Sequence, residues 1–388
     1  AGGHSAVANS VALLRAEVDE NTPQPEGGVI ELGEDGELNG IIRERQEIVS
    51  RLVPESTNEE VRDSLIGVLK EQLSLGITSF THATGSIEAY PEWELVYRQN
   101  RGELPRGSIQ VFWEGTEAMS AFGKKSGDGD EFLRVGPIKI FVDGGFTGPA
   151  AYTREPYKGE TEYRGKLSID PYELTTTIRE LNAAGWQTGI HAIGDAAIEL
   201  AVDELAEALD ALPRVDHRHY LNHFTVMPPP ATMEKMAEYG IGITQQPNFT
   251  YTLEGRYVDY LDGDRVEHNN PLRTPINHGI TVAISSDILP IGPMVGLYAA
   301  VTRKGMSGRV FAEDEALSMM EALQAYTLFG AYLSFEEADK GSIEPGKLAD
   351  LIVLDQDLLE IDPELIMETN VLQTWLGGNL VYERGAGE

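Results

Sequence analysis

Gly136-Pro-Ile-Lys-Ile-Phe-Val-Asp-Gly-Gly145 is a short apolar run with Gly-Pro at one end and Gly-Gly at the other. That punctuation reads as a buried strand. With a two-residue period, Ile138, Ile140 and Val142 share one face, and Lys139, Phe141 and Asp143 share the other. An unpaired ammonium in such a strand is strongly disfavoured. Lys139 is therefore either a snorkelling or ion-paired lysine whose amine reaches solvent, or a residue that something in the interior needs.

The flanking chain supplies a rhythm. Thr57-Asn-Glu-Glu60 is a capping box, and Val61, Leu65, Val68, Leu69 and Leu73 follow at helical spacing until Gly76. Strand Ile77-Thr-Ser-Phe-Thr-His82 follows, then a helix over 89–100 and strand Ile109-Gln-Val-Phe-Trp113. After the Lys139 strand comes a long loop, residues 144–168, carrying Tyr152, Tyr157 and Tyr163. These tyrosines line a site mouth or simply pack the loop. Asp170 and Pro171 open the next helix. Strands end at His191, His223, Gln245 and Asp287, separated by helical stretches over 196–212, 231–239 and a segment reaching Asn277; a helix over 313–328 follows the last.

Seven strands in near-strict alternation with helices imply a parallel sheet. The count is one short of a (β/α)8 barrel. A doubly wound open sheet competes, but no Gly-rich phosphate loop follows any of these strands. Barrel chemistry sits at strand C-termini, and His82, Lys139, His191, His223 and Asp287 all fall there. One polar residue at such a place means little; five in register imply a site. The fold expected is α/β, a distorted TIM-type barrel with strand one missing, over residues 1–335. Residues 336–388 read as a small β-sandwich appendage, with strands at 351–354, 371–375 and 380–382. Near the start, 28–30 and 40–42 form a candidate hairpin.

Composition narrows the chemistry. The 388 residues are 41% hydrophobic, enough for a large core, and contain no cysteine. Disulfides and thiolate metal sites are thereby excluded, so a metal must be held by His, carboxylate or a modified lysine. There are 63 acidic against 30 basic residues, a net charge of −33, spread along the chain. Nucleic acid is an unsuitable partner for such a surface. The acid excess reads as adaptation to high intracellular salt. With no apolar run of membrane length and no secretory signal, the expectation is a cytoplasmic protein that avoids membranes, takes a small-molecule substrate, and is open to forming a homodimer.

Two histidines, an interior lysine and an aspartate can build a hard-to-borderline metal site. A lysine carbamate would remove the buried positive charge and offer two oxygens to metals. The segments Ile138-Lys-Ile-Phe-Val-Asp-Gly144, His191-Ala-Ile-Gly-Asp195, Asn222-His223, Ser286-Asp287 and Gly341-Ser-Ile-Glu-Pro-Gly-Lys-Leu-Ala-Asp350 together resemble the amidohydrolase superfamily. More narrowly they resemble its amidohydrolase 3, or YtcJ-like, branch, which includes N-substituted formamide deformylases.

The resemblance implies a (β/α)8 barrel with a β-sandwich made from both chain ends. It implies that Lys139 is a carboxylated bridging ligand and that His191 and His223 ligate a metal. It also implies that Asp287 is both a ligand and the general base. The implied cofactor is a divalent metal, zinc foremost, as one or two ions. The implied reaction is hydrolysis of a non-peptide C–N bond, of amide or formamide type, by metal-activated water. His82 and His4 are candidate substrate-binding residues. The pattern departs in two places: Asn-His stands where the family usually has Glu-His, and no His-x-His precedes the first strand. His217-Arg-His219 approaches a later strand and cannot fill that role. The expectation is that the family's N-terminal segment is absent here. Two other readings stand beside this one: a metal-poor, catalytically impaired relative, and another barrel metal hydrolase such as a lactonase or esterase.

Overall fold

The structure, a computed structural model, describes residues 5–25, 28–33, 35–43, 45–54, 56–287 and 290–385. Two compact units divide the chain at 65/66. In the first, strands β1 (Ser5–Val7), β2 (Val29–Leu32) and β3 (Leu38–Arg43) form an antiparallel sheet in the order β1-β3-β2. The expected hairpin is β2–β3, with Ile30 opposite Ile42. Ile30 and Ile42 pack with Leu13, Ala16 and Val18 in a small core.

The second unit holds seven parallel strands: β4 (Ser79–Gly85), β5 (Arg106–Phe112), β6 (Leu133–Phe141), β7 (Thr188–Ala192), β8 (Tyr220–His223), β9 (Gly242–Gln245) and β10 (Val282–Ile284). Each pairs with its neighbour in sequence, giving the order β4-β5-β6-β7-β8-β9-β10. That is the winding of a (β/α) barrel rather than of a doubly wound sheet. Among the described residues no eighth strand joins it and β4 does not pair with β10, so the sheet is a half-barrel. The face opposite Lys139 is apolar: Ile109, Val111, Ile138, Ile190, Leu221 and Ile243 are fully buried. Buried helix stripes, such as Leu174, Ile178 and Leu181 of helix Pro171–Ala184, cover the sheet's outer surface as helices do in this architecture.

The helix expected over 313–328 is a correction. It is a 3-10 turn, Glu313–Glu315, followed by separate helices Met319–Tyr326 and Leu328–Leu333. Ser318 restarts the chain: its side chain accepts from Glu321 N–H and Glu321 reaches back, a complete capping box. Helix Pro293–Thr302 lies earlier, where no helix is expected from the pattern.

Strands β11 (Leu351–Leu354), β12 (Val371–Leu376) and β13 (Asn379–Glu383) form a three-stranded antiparallel sheet near the C-terminus. The Gly341–Asp350 motif secures it. Asp350 accepts from Arg106 Nε at 2.6 Å and Nη2 at 3.0 Å, and from Gly377 N–H at 2.8 Å. Both charged side chains are 4% exposed. The motif's final aspartate thus clamps the small sheet to the start of β5. No helix among the described residues is long and apolar enough to cross a membrane.

Candidate active site

Parallel register carries the expected residues to one end of the sheet. Phe141 of β6 stands beside His191 of β7, His191 beside Asn222 of β8, and Asn222 beside Thr244 of β9. Residues in one row of a parallel sheet point to the same face. Lys139, one step below Phe141 on that face, is only 4% exposed. Its Nζ donates to Asn222 Oδ1 at 2.8 Å and lies 4.8 Å from the Phe141 ring centre. The ammonium only donates, which turns the amide oxygen toward the lysine and leaves Asn222 Nδ2 to donate to Thr244 Oγ1 at 2.8 Å. Burial pushes the Lys139 amine down to about 8, and the charge of Asp287 opposes that shift.

His191 and His223 meet edge to face, with ring centres 4.5 Å apart. Burial first, and the Lys139 charge second, push His191 down to about 3, and the nearby Gly144 backbone opposes the shift. His223 is shifted well down by burial, then by His191 and Lys139. Both imidazoles are neutral at physiological pH, the form that ligates a metal. His191 Nε2 is buried without a hydrogen-bond partner, 3.6 Å from Asp143 Oδ1. His223 and Phe224 hold φ of 79° and 55°, and Asp287 holds 61°. Left-handed backbone at non-glycine residues costs on the order of 1–3 kcal/mol each and concentrates at functional sites.

The His191-Ala-Ile-Gly-Asp195 motif does two jobs. His191 faces the cluster, while the turn after it organises the neighbouring loop. Ile193 N–H donates to Asp143 Oδ1 at 3.0 Å; Gly194 N–H and Tyr152 N–H each donate to Oδ2 at 2.8 Å. Asp195 accepts from Arg154 N–H at 2.9 Å. A Cβ on Gly194 would lie 2.0 Å from the Tyr152 carbonyl oxygen, so only glycine allows this approach. Burial pushes the Asp143 carboxyl up to about 7, against these donors. Of the loop tyrosines, Tyr157 is a packing residue: it is 3% exposed, hydrogen-bonds Ala151 O at 2.7 Å, and packs with Phe146 and Tyr257.

The remaining expected residues are more dispersed. Asp287 follows β10, exposed at the strand end, yet desolvation still raises its carboxyl while Lys139 lowers it. Among the described residues, the hydrogen-bond partner of Lys139 is Asn222 and not Asp287. His82, on β4, packs its ring 5.2 Å from that of Trp93 and shares no hydrogen bond with Lys139, His191 or His223 among the described residues. His4 lies outside the described residues. His217 and His219 are buried and stacked on each other at the start of β8, bonded to Tyr239 O and Thr188, away from the strand ends. Among the described residues no three His, Asp or Glu side chains converge as a ready-made cation cage. The donor set that does converge is two neutral imidazoles and a lysine. It fits a metal when the lysine carries a carboxylate, and the orphaned His191 Nε2 is the atom that most needs such a partner.

Sequence reasoning missed Asn222, Thr244, Gln246 and Asp143 as parts of this site. Asn222 had a signal, its place directly before His223, and so did Asp143, which shares the face of Lys139. Gln246 had none, because its bond to His223 spans 23 residues.

The amidohydrolase family profile matches residues 1–382. This chain belongs to the amidohydrolase family. It is 30% identical to YtcJ of Bacillus subtilis (strain 168), an amidohydrolase by name, over 98% of this chain and 73% of that protein. It is 28% identical to an N-substituted formamide deformylase of Arthrobacter pascens over 98% of this chain and 72% of the relative. The fold resembles that of an uncharacterized metal-dependent hydrolase from Pyrococcus horikoshii OT3. The TM-score is 0.73 at 24% identity, covering 93% of this chain and 71% of that one. The YtcJ-like branch and the α/β TIM-type fold expected from the sequence are thus both found, the fold with its described strands forming a half-barrel.

Proposed function

We propose that this amidohydrolase is metal-dependent and hydrolyses a non-peptide C–N bond of a small amide or formamide-type substrate. The observation that carries the proposal is the buried meeting of Lys139 with two neutral histidines, one of which has an unpartnered Nε2. His191, His223 and a carboxylated Lys139 would hold the ion, with zinc the best match for imidazole and carboxylate donors. When bound, such an ion supplies Lewis-acid polarisation and a lowered water pKa.

The protein's own residues prepare for this. A lysine amine pushed down to about 8 is partly neutral near physiological pH, and the neutral amine is the form that adds carbon dioxide. Asn222 holds that amine in place by accepting one hydrogen bond. Asp287 has an exposed carboxyl with a raised pKa, suited to taking a proton from water and passing it to a leaving amine. His82 and His4 are proposed only as substrate contacts.

The test is a panel of N-substituted formamides, other small amides, lactones and esters, assayed with added zinc and again after chelation. The proposal expects turnover of C–N substrates that chelation removes and zinc restores, and loss of turnover in Lys139→Ala. Turnover confined to lactones or esters would overturn the bond assignment. Turnover indifferent to chelation would overturn the metal.

A further inference from the structure

Two adjacent glutamines at the end of β9 surround His223 and are not part of any motif in the sequence. Gln245 is fully buried and Gln246 is 2% exposed. Gln246 Nε2 donates to Thr244 O at 2.8 Å and to Ser285 Oγ at 2.8 Å. A backbone carbonyl can only accept, so the nitrogen of the amide must face Thr244. The amide oxygen is then the atom 2.7 Å from His223 Nδ1. Because that oxygen also only accepts, Nδ1 must carry the proton. Gln245 completes the arrangement. Its Oε1 accepts from Gln246 N–H at 2.7 Å, and its Nε2 donates to Phe224 O at 3.0 Å. The carbonyl it holds belongs to the strained turn that follows His223.

We propose that Gln246 is a positioning residue that locks His223 in the Nδ1–H tautomer, leaving Nε2 as the lone-pair nitrogen, and that Gln245 holds the strained His223–Phe224 turn that aims the ring. Neutral imidazole has two tautomers of similar energy, so an unconstrained ring populates both, and only one presents Nε2 to a ligand. A buried amide with every polar atom committed removes the choice. The functional consequence rests on the metal-dependent reading above. Outer partners of ligating histidines are typically worth about 10–100-fold in metal affinity.

The experiment is nitrogen-15 NMR of histidine-labelled, metal-free protein near pH 7.5, comparing the wild type with Gln246→Met and Gln246→Glu. The wild type should show His223 protonated at Nδ1. Gln246→Met should show a mixture of tautomers, and Gln246→Glu, whose buried carboxyl stays protonated and so donates its O–H to Thr244 O while its carbonyl oxygen accepts from Nδ1, should return the Nδ1–H form. Zinc titration should then show binding weakened about 10–100-fold in Gln246→Met. A wild-type His223 protonated at Nε2, or a tautomer unmoved by Gln246→Met, would overturn the proposal, and the first of these needs no variant to fold. A locked tautomer in a protein that binds no zinc would uphold the positioning role while refuting the metal-dependent reading.

Discussion

Replacing Lys139 by methionine should change how stability depends on pH more than it changes stability itself. In the metal-free protein the Lys139 amine moves from its ordinary 10.5 to about 8 on folding, chiefly because burial strips its water. At about 1.4 kcal/mol per pH unit, that displacement corresponds to about 3 kcal/mol. The sign follows from proton counts. Below pH 8 both folded and unfolded states hold the proton, and the full penalty of burying an ammonium is present. Between pH 8 and 10.5 the folded state has released the proton and the unfolded state has not, so stability rises with pH across that window. Methionine abolishes this term. It also leaves Asn222 Oδ1 without its donor, a cost of about 1–3 kcal/mol that does not vary with pH. The gap between wild type and Lys139→Met should therefore move by about 3 kcal/mol in favour of wild type from pH 7 to 10.5. Urea denaturation of chelator-treated, bicarbonate-free protein at several pH values and fixed ionic strength measures this gap. A gap constant across the range would show that Lys139 is solvated, and the reasoning about the site would fail with it.

Other perturbations test the frame around the site. Asp350→Ala strips the nearly buried Arg106 guanidinium of its two-pronged partner. It should cost about 3–5 kcal/mol in urea denaturation; a loss below about 1 kcal/mol would mean that Glu131, 3.6 Å away, suffices. Gly194→Ala drives a methyl against the Tyr152 carbonyl and should destabilise by about 1–3 kcal/mol, read as a lowered melting temperature. An unchanged melting temperature would contradict the close approach. The net charge of −33 should make the protein self-repel at low salt, so its melting temperature should rise between about 0.1 M and about 3 M KCl. A flat profile would remove the case for adaptation to high salt.

The strands were legible because their signals are local. Gly144-Gly145 close the Lys139 run, whereas Gly136-Pro137, read as its opening, lies inside β6, which starts at Leu133; amphipathic spacing after Thr57 and Asp170 marks the helices Asn58–Ser74 and Pro171–Ala184. Helix Pro293–Thr302 was not legible for the opposite reason. Its Met-Val-Gly-Leu-Tyr-Ala-Ala-Val run is apolar all round, so no period distinguishes a helix from a buried strand. His191, His223 and Lys139 stood out because charge and imidazole are unusual at strand ends. Their partners did not. Asn222 and Gln246 are neutral amides whose roles come from contacts 83 and 23 residues away. Asp143 is read from sequence as a strand residue, yet its work is to gather N–H groups from two later loops. Pairings across a sheet are set by register, which no short window contains.

The most direct test of the metal centre is crystallographic. Crystals grown with zinc and bicarbonate should give a single anomalous peak at the zinc edge, about 2.0–2.1 Å from Nε2 of both His191 and His223, with extra carboxylate density on Lys139 Nζ. A bare lysine still bonded to Asn222, with no anomalous peak between the two imidazoles, would contradict the account.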